Sequence, residues 1–373
     1  MASTTTTSEY DHNTDPPEHN LSADELLVER DSETTPQLSV VMPTLNEEAG
    51  IRICIDWIKT AIEELQIPAE IIISDSSTDR TPEIARDMGA IVVEPDGKGY
   101  GYAYRYAFEQ TRGTYIAMGD ADTTYDFKQI PRLLTHLQET DADMVMGSRL
   151  DGEIKDGAMP ALHQHIGNPA LTRFLNTFYR AGVSDAHSGF RIFTREAYET
   201  MDWETTGMEF ASEMIMDAGA KDLDIVEVPI VYHEREGEET LDSFRDGWRH
   251  VRFMLVNAPG YLFSVPGLLL TLFGVAVMTI SHTGVALGEI TLGVNSMIAG
   301  SLAAIVGTQV GSLGVFATVA SDPIQRPEDP ITSGITRYAT LERGATAGVL
   351  VFAAGGAYAS WLIGDWSKMV RRP

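Results

Sequence analysis

Cysteine is nearly absent from this sequence, in which Cys54 is the only example among 373 residues. An intramolecular disulfide is therefore excluded. Cys54 lies in GIRICIDWIKTAIEEL, whose apolar residues recur at helical spacing. We predict a small core residue at this position rather than a reactive thiol. The polar first twenty residues also lack the apolar segment of a secretory signal.

Basic residues are scarce as well. The chain has 27 Lys and Arg against 54 Asp and Glu, which gives a net charge of -27. So acidic a surface repels nucleic acid, and we expect no DNA or RNA partner. Two explanations compete: an acidic interaction tail, or adaptation of the whole surface to high salt, which screens the repulsion. Because the acids run through the whole soluble part, we favour a halophilic source.

Strand and helix patterns alternate from Leu38 onwards, after a Thr-, Ser- and acid-rich segment, residues 1–36, that we predict to be a disordered tail. The alternation across residues 37–240 predicts an α/β domain, with helices on both faces of a mostly parallel sheet. Ligands of such sheets bind beyond the carboxyl ends of the strands. The polar segments PTLNE, SDSSTD, GDAD and GSR each follow a predicted strand, so we expect them to form one site.

Charged residues are missing from three long apolar segments, 261–281, 296–320 and 344–364. Each can cross a bilayer, which predicts a multi-pass membrane region over residues 261–364 and a C-terminal tail at 365–373. Arginines before the first segment and between the second and third place the α/β domain in the cytoplasm by the positive-inside rule. Three spans put the C-terminus outside, yet it reads KMVRRP. The sequence leaves open whether the third segment crosses fully or the basic tail is tolerated.

Two carboxylates, Asp120 and Asp122, follow the fourth predicted strand with one small residue between them. Hard oxygen ligands without His or Cys suit Mg²⁺ or Mn²⁺ rather than zinc. The alternative use of an acid here is helix capping, which we assign to Asp126. Lys98 lies between two glycines before a predicted helix, a weak phosphate-binding pattern that gains weight beside a metal site.

Six segments resemble the dolichol-phosphate mannose and glucose synthases among the inverting family 2 glycosyltransferases, in the order found there: VVMPTLNEEAGI, SDSSTDRT, GKGYGYAYRYA, MGDAD, GSR and DAHSGFRIFTREAY. The resemblance covers roughly residues 38–260 and implies a Rossmann-like GT-A fold. It implies a UDP- or GDP-linked sugar as donor, dolichyl or another polyprenyl phosphate as acceptor, and Mg²⁺ or Mn²⁺ as cofactor. The implied reaction moves a hexose to the lipid phosphate with inversion, giving a lipid-linked sugar for protein glycosylation.

An alternative within the same family is a membrane-bound transferase that elongates a lipid-linked glycan or polysaccharide. Processive enzymes of that kind carry a QxxRW motif before their later spans. The segment QRPED in the second loop lacks the Trp, which disfavours this alternative.

The resemblance also implies roles for individual residues. Asp120 and Asp122 match the metal-binding DxD motif, and Arg149 and Arg191 match arginines near the acceptor phosphate. The implied substrate-binding residues of the α/β domain are Pro43, Thr44, Asn46, Glu47, Asp75 and Ser148, together with Lys98 of the glycine-rich loop. Ser74 and Thr124 stand where relatives often carry Asp and Gln, which bears on the nucleotide and the sugar.

Arginines recur at helical spacing in DSFRDGWRHVRFML, which predicts an interfacial helix over residues 241–260. We expect Arg245 and Arg249 to anchor lipid headgroups, with direct contact to the lipid phosphate as the alternative. Glu209 and Glu213 share a predicted helix face. They either line the acceptor side of the site or are solvated acids.

Overall fold

A computed structural model of the chain describes residues 20–179, 181–236, 248–249, 252–253, 256–257, 260–283, 286–287, 290–320, 334 and 341–370. The chain divides into two compact units, Met1–Gly247 and Trp248–Pro373. The predicted domain boundary at residue 240 falls outside the described residues. So do residues 1–19 of the predicted tail.

Seven strands form the sheet of the first unit. They are β1 Leu38–Thr44, β2 Ala69–Asp75, β3 Ile91–Val93, β4 Tyr115–Met118, β5 Met144–Ile154, β6 Arg191–Thr194 and β7 Ile225–Tyr232. Their order is β3-β2-β1-β4-β6-β5-β7. Only β6 runs antiparallel to its neighbours β4 and β5, so the prediction of a mostly parallel sheet is confirmed.

Helices connect most of the strands. They are α1 Ala23–Leu26, α2 Ile51–Leu65, α3 Thr81–Asp87, α4 Tyr100–Phe108, α5 Ile130–Thr140, α6 Asn168–Tyr179, α7 Arg195–Thr200 and α8 Phe210–Ala220. A 3₁₀ turn, Phe127–Gln129, precedes α5, and a π-helical turn, His163–Gly167, precedes α6. Strands β1 and β2 are buried along almost their whole length, as strands covered on both faces must be.

Helix α2 covers the sheet with an apolar stripe. Ile51, Ile55, Ile58 and Ile62 repeat every three or four residues and are fully buried. Cys54 lies in the same stripe with no exposed surface, and burial raises the pKa of its thiol to about 12. Its predicted role as an inert core residue is confirmed.

The prediction of a disordered tail up to residue 36 is wrong for the described part, residues 20–36. Ala23, Leu26 and Val28 are buried, and α1 begins with a capping box formed by Ser22 and Glu25. The backbone N–H of Val28 donates to the carbonyl of Ala69 at 2.8 Å. The tail prediction failed because a four-residue helix and three apolar residues give too weak a pattern to be recognised among the polar residues around them.

The second unit contains α9 Val265–Thr283, α10 Val294–Ala320 and α11 Leu341–Val370, with a short hairpin of β8 Ala286–Leu287 and β9 Ile290–Thr291 between the first two. All three helices are long and apolar enough to cross a membrane, as the sequence predicts. A Cβ atom added at Gly274 would meet the backbone nitrogen of Ala304 at 2.4 Å, so α9 and α10 pack backbone to backbone. Helix α11 continues through the predicted C-terminal tail, 365–373, as far as Val370, and the last three residues lie outside the described ones.

Candidate active site

Polar loops leave the sheet at the carboxyl ends of β1 and β2, and hydrogen bonds tie the two loops together. The Thr44 hydroxyl donates to Asp75 Oδ1 at 2.7 Å. Asn46 accepts from the Thr78 N–H at 2.8 Å and donates its own N–H to Ser77 Oγ at 2.7 Å. Asn46 adopts φ 61°, a left-handed conformation that Asn tolerates better than most residues. The rim of the sheet is therefore held by its own side chains.

Asp120 follows β4 and is held on one side by two tyrosines. The hydroxyls of Tyr100 and Tyr104, one helical turn apart on α4, lie 2.8 and 3.3 Å from Asp120 Oδ1. Gly99 starts this helix at φ 120°, where a Cβ atom would overlap the carbonyl oxygen of Thr206. No described residue donates a hydrogen bond to Asp120 Oδ2, which leaves that oxygen as a possible ligand.

Asp122 is held in the same way by a threonine. Its Oδ1 accepts from the N–H of Thr124 at 3.2 Å and from the Thr124 hydroxyl at 2.5 Å. Thr124 is only 3% exposed, so it orients the carboxylate from inside rather than facing a ligand. The second oxygen, Oδ2, lies 3.5 Å from Arg235 Nη1. Each acid of the pair thus keeps one oxygen free of hydroxyl donors.

Arg235 approaches the acids on a segment that follows β7. It forms an ion pair of 2.7 Å with Glu47 Oε1 in addition to its contact with Asp122. The backbone of this segment runs along the loop after β4: the His233 N–H donates to the Thr124 carbonyl at 2.9 Å. Arg235 therefore lies between the loops that follow β1 and β4.

Negative charge exceeds positive charge at this site. Burial, and then the neighbouring carboxylates, raise the pKa of Glu47 to about 7, although Arg235 lowers it. Burial, followed by repulsion from Asp122, likewise raises the pKa of Asp120 to about 6. A divalent cation would relieve this repulsion. Among the described residues no three His, Cys, Asp or Glu side chains form a complete metal cage, so water and a phosphate would have to complete the ligand set.

Comparison with known proteins decides the family. Residues 39–202 match the family model "Glycosyl transferase family 2", and residues 315–371 match "Glycosyltransferase family 2 C-terminal transmembrane region". A Haloferax volcanii protein named "Low-salt glycan biosynthesis hexosyltransferase Agl6" is 61% identical over 345 residues, which are 92% of this chain and 84% of that protein. This chain belongs to glycosyltransferase family 2.

Other similar proteins share less sequence identity with this chain. The Haloferax volcanii "Dolichyl-phosphate hexose transferase" is 36% identical over 217 residues, 57% of this chain and 90% of that protein. Glucosyl-3-phosphoglycerate synthase from Mycobacterium tuberculosis, solved with Mn²⁺ and UDP, is 24% identical at a TM-score of 0.48 and covers 59% of this chain and 79% of its own. The two family matches and the strand order make this chain a family 2 glycosyltransferase with a GT-A-like fold and a membrane region.

The residues expected to bind the donor lie in different surroundings. Thr44 and Asp75 are nearly buried and bond each other, whereas Glu47 pairs with Arg235. Pro43 is the penultimate residue of β1. Lys98 is exposed and forms no hydrogen bond or ion pair with a described residue, so its ammonium group is available to a phosphate.

The segment GSR departs from its expected place at a strand end, because β5 continues to Ile154. Ser148 is buried and shares a hydrogen bond of 2.7 Å with Ser184. Arg149 is 7% exposed and forms a bidentate pair with Asp185, at 2.7 and 2.8 Å. Although burial opposes ionisation of Asp185, the guanidinium of Arg149 lowers the pKa of that carboxyl below its ordinary value. The charges of Arg149 and Asp185 therefore neutralise each other within the protein.

Arg191 is fully buried at the start of β6, so direct contact with an acceptor phosphate is not available in this conformation. Its guanidinium donates to three backbone carbonyls, those of Ser188, Ala186 and Ala211, at 2.9 to 3.2 Å. Burial lowers the pKa of Arg191 to about 10. The assignment of Arg191 to the acceptor is therefore revised to a structural one.

The remaining sequence-based assignments have different outcomes. Glu213 is fully buried and accepts N–H groups of Glu204 and Thr205, so it neither lines a site nor faces solvent. Asp126 accepts the Lys128 N–H at 3.1 Å at the start of the 3₁₀ turn, which confirms its capping role. Arg245 lies outside the described residues. Arg249 lies in the second unit and is exposed.

Sequence reasoning missed three residues of the site, namely Tyr100, Tyr104 and Arg235. The tyrosines were visible in GYGYAYRYA at a spacing of four, which puts two phenols on one helix face. Arg235 gave no usable signal, because it lies more than one hundred residues after the acids and reaches them only through the pairing of β7 with β5.

Proposed function

We propose that this chain transfers a hexose from a nucleotide-diphospho-sugar, UDP- or GDP-linked, to dolichyl or another polyprenyl monophosphate, with inversion at the sugar. The observation that carries the proposal is the pair Asp120 and Asp122, each held through one oxygen by hydroxyl donors, in a family 2 chain with a membrane region. The name of the relative that is a dolichyl-phosphate hexose transferase supports the acceptor.

The residues at the rim fit a divalent metal, Mg²⁺ or Mn²⁺. Asp120 Oδ2 and Asp122 Oδ2 would hold it, and Tyr100 and Thr124 would orient these ligands through the other carboxylate oxygens. When bound, such an ion neutralises the diphosphate that leaves the sugar. The guanidinium of Arg235 would turn from the carboxylates of Glu47 and Asp122 toward the same phosphates. The exposed Lys98 would add a second positive charge.

The acceptor phosphate needs no general base, because it is already largely ionised at neutral pH. It needs positive charge and a fixed position. We propose that Arg149, which is 7% exposed, contacts it while Asp185 keeps the guanidinium in place. We call the first unit, Met1–Gly247, the catalytic unit. In this proposal it faces the cytoplasm, because nucleotide-sugars are supplied there and the arginines of the sequence indicate that orientation.

The test is lipid-linked product formation. Membranes that contain the full chain are incubated with labelled UDP-glucose, UDP-N-acetylglucosamine or GDP-mannose, together with dolichyl phosphate and Mn²⁺. We expect one donor to give label that extracts into organic solvent, and EDTA or Asp122→Ala to abolish it. Asp126→Ala is the matched control, because it removes a cap from the same loop and should keep most of the activity. Full transfer by Asp122→Ala, or no lipid-linked label from any donor, would refute the proposal.

A further inference from the structure

Glu213 is a buried acid of the catalytic unit to which the proposed reaction gives no role. It lies on α8 with no exposed surface, yet its carboxylate has three hydrogen-bond donors. The N–H groups of Glu204 and Thr205 donate to it at 2.9 and 3.0 Å, and the Thr205 hydroxyl donates to it as well. Burial raises the pKa of the Glu213 carboxyl, although these hydrogen bonds lower it. Because a carboxyl group is costly to bury, a well-bonded one is evidence that the geometry around it is held closely.

All three donors belong to the loop between α7 and α8, residues 201–209, which we call the α7–α8 loop. The guanidinium of Arg105 on α4 donates to the carbonyl of Glu204 at 2.9 Å. Trp203 of the same loop is buried. Glu213 and Arg105 therefore hold the backbone of Glu204 from two helices, through its N–H and its carbonyl.

The α7–α8 loop in turn touches the glycines at the start of α4. The Tyr102 N–H donates to the Thr206 carbonyl at 3.2 Å. A Cβ atom added at Gly99 would overlap that same carbonyl oxygen, and one at Gly101 would lie 2.9 Å from the carbonyl oxygen of Thr205. Glycine lets the two backbones touch at both positions. The path of the chain into α4 therefore depends on where the α7–α8 loop is held.

Lys98 is the charged residue that this contact positions. It directly precedes Gly99, is exposed, and forms no hydrogen bond or ion pair with a described residue. On its other side, a Cβ atom at Gly97 would overlap the ring of Tyr102, whose hydroxyl donates to Asp96. The backbone around Lys98 is thus fixed from both sides, while its ammonium group remains available to a phosphate.

We propose that Glu213 is a positioning residue for the donor, which acts through the α7–α8 loop to hold Lys98 beside the diphosphate of the nucleotide-sugar. The inference rests on the proposed function, which assigns Lys98 to that diphosphate. Because the attraction between charges falls with distance, a displaced Lys98 would weaken nucleotide binding. Metal binding would change little, because Asp120 and Asp122 follow β4 and keep their own hydroxyl donors.

The test measures nucleotide binding and metal binding separately. Titration calorimetry of the full chain in detergent gives the Kd of UDP and of GDP in the presence of Mn²⁺, and electron paramagnetic resonance gives the Kd of Mn²⁺ alone. Glu213→Gln keeps the size of the side chain but replaces one acceptor oxygen by an amide donor. We expect it to raise the Kd of the nucleotide that the parent protein binds about tenfold, and to change the Kd of Mn²⁺ less than about twofold.

A second background shows whether the effect passes through the lysine. If Glu213 acts through Lys98, Glu213→Gln should weaken nucleotide binding less than about twofold in the variant Lys98→Ala, since coupled residues are not additive. Thr205→Val is a milder change that does not depend on the folding of Glu213→Gln. It removes the hydroxyl donor and leaves both N–H donors of the carboxylate, so we expect a nucleotide Kd about threefold higher.

Asp217→Asn is the matched control for lost stability. Asp217 is also a fully buried acid of α8, and it accepts the N–H of Asp202 at 2.6 Å near the start of the same loop. The control should lower the midpoint of thermal unfolding and leave the nucleotide Kd unchanged.

Three results would overturn the proposal. They are an unchanged nucleotide Kd in both Glu213→Gln and Thr205→Val, an undiminished effect of Glu213→Gln in the Lys98→Ala background, and parallel losses of nucleotide and Mn²⁺ binding, which would indicate general disruption of the site. Binding of neither nucleotide by the parent protein would instead refute the donor of the proposed function, and this inference with it.

Discussion

At the scale of single residues, the two acids after β4 depend on neighbours that supply hydroxyl groups. Asp120 is oriented by phenols and Asp122 by a threonine, and in both cases one carboxylate oxygen is occupied. A short side chain suffices at Thr124 because it bonds the acid from the adjacent turn. The ligand geometry is therefore set locally, before any substrate arrives.

The phenol of Tyr100 is the first residue-scale test. Tyr100→Phe removes the 2.8 Å hydrogen bond to Asp120, so we expect Mn²⁺ binding to weaken by about tenfold, as measured by electron paramagnetic resonance of free Mn²⁺. Tyr106→Phe on the same helix is the control, since the Tyr106 hydroxyl bonds no described residue. Equal Mn²⁺ affinity in both variants would show that the phenol does not orient a metal ligand.

The ion pair of Arg149 and Asp185 gives a prediction about stability. Asp185→Asn leaves a buried guanidinium without its counter-charge, so the free energy of unfolding should fall by roughly 3–5 kcal/mol. Chemical denaturation of the protein in detergent measures this. The control Asp151→Asn changes an exposed acid on β5, the strand that also contains Arg149, and should cost less than about 0.5 kcal/mol. If Asp185→Asn lowers the free energy of unfolding no more than Asp151→Asn does, the ion pair with Arg149 is not formed in solution.

At the scale of elements, the strand order brings together loops that are distant in the chain. Placing β1 between β2 and β4 sets the loops with Asn46, Asp75 and Asp120 side by side. Strand β7 pairs with β5 and delivers Arg235 to the same rim. In the second unit, which we call the membrane unit, glycines bring elements together, because they let the backbones of α9 and α10 approach closely.

The helix contact in the membrane unit can be tested by adding volume. Gly274→Leu forces a side chain into the backbone of α10, so we expect a loss of about 1–3 kcal/mol and a lower midpoint of thermal unfolding in detergent. Gly355→Leu on α11 is the matched control, because nothing lies within 4 Å of a Cβ atom there. If both variants unfold at the same temperature as the parent, α9 and α10 do not pack closely at Gly274.

At the scale of the whole molecule, charge is the dominant property. A net charge of -27 destabilises any compact state through self-repulsion, and mobile ions screen it. Charge therefore makes the stability of the fold depend on the ions around it.

Salt dependence follows directly from this charge. The Debye length falls from about 10 Å at 0.1 M to about 3 Å at 1 M salt, so the midpoint of thermal unfolding should rise with KCl across that range. Differential scanning fluorimetry in detergent measures it, with sucrose of equal osmolality as control for solvent exclusion. A midpoint that is independent of KCl, or that rises equally in sucrose, would contradict the screening explanation.

Local patterns determined much of this protein on their own. Alternating apolar strands and amphipathic helices predicted the mostly parallel sheet, and uncharged runs of membrane length predicted the three long helices. The pair Asp120 and Asp122 was visible because both acids lie within four residues after one strand. These features depend on neighbours in sequence, so periodicity and spacing contain them.

The tertiary structure alone decided which charged groups are available. Arg191 and Glu213 read as candidate site residues in the sequence, but packing buries both of them. Arg149 is engaged by Asp185, and Arg235 reaches Glu47 and Asp122 from the far end of the domain. Burial and ion pairing between distant segments depend on how strands are ordered in the sheet. That order is a property of the whole chain, which no local pattern encodes.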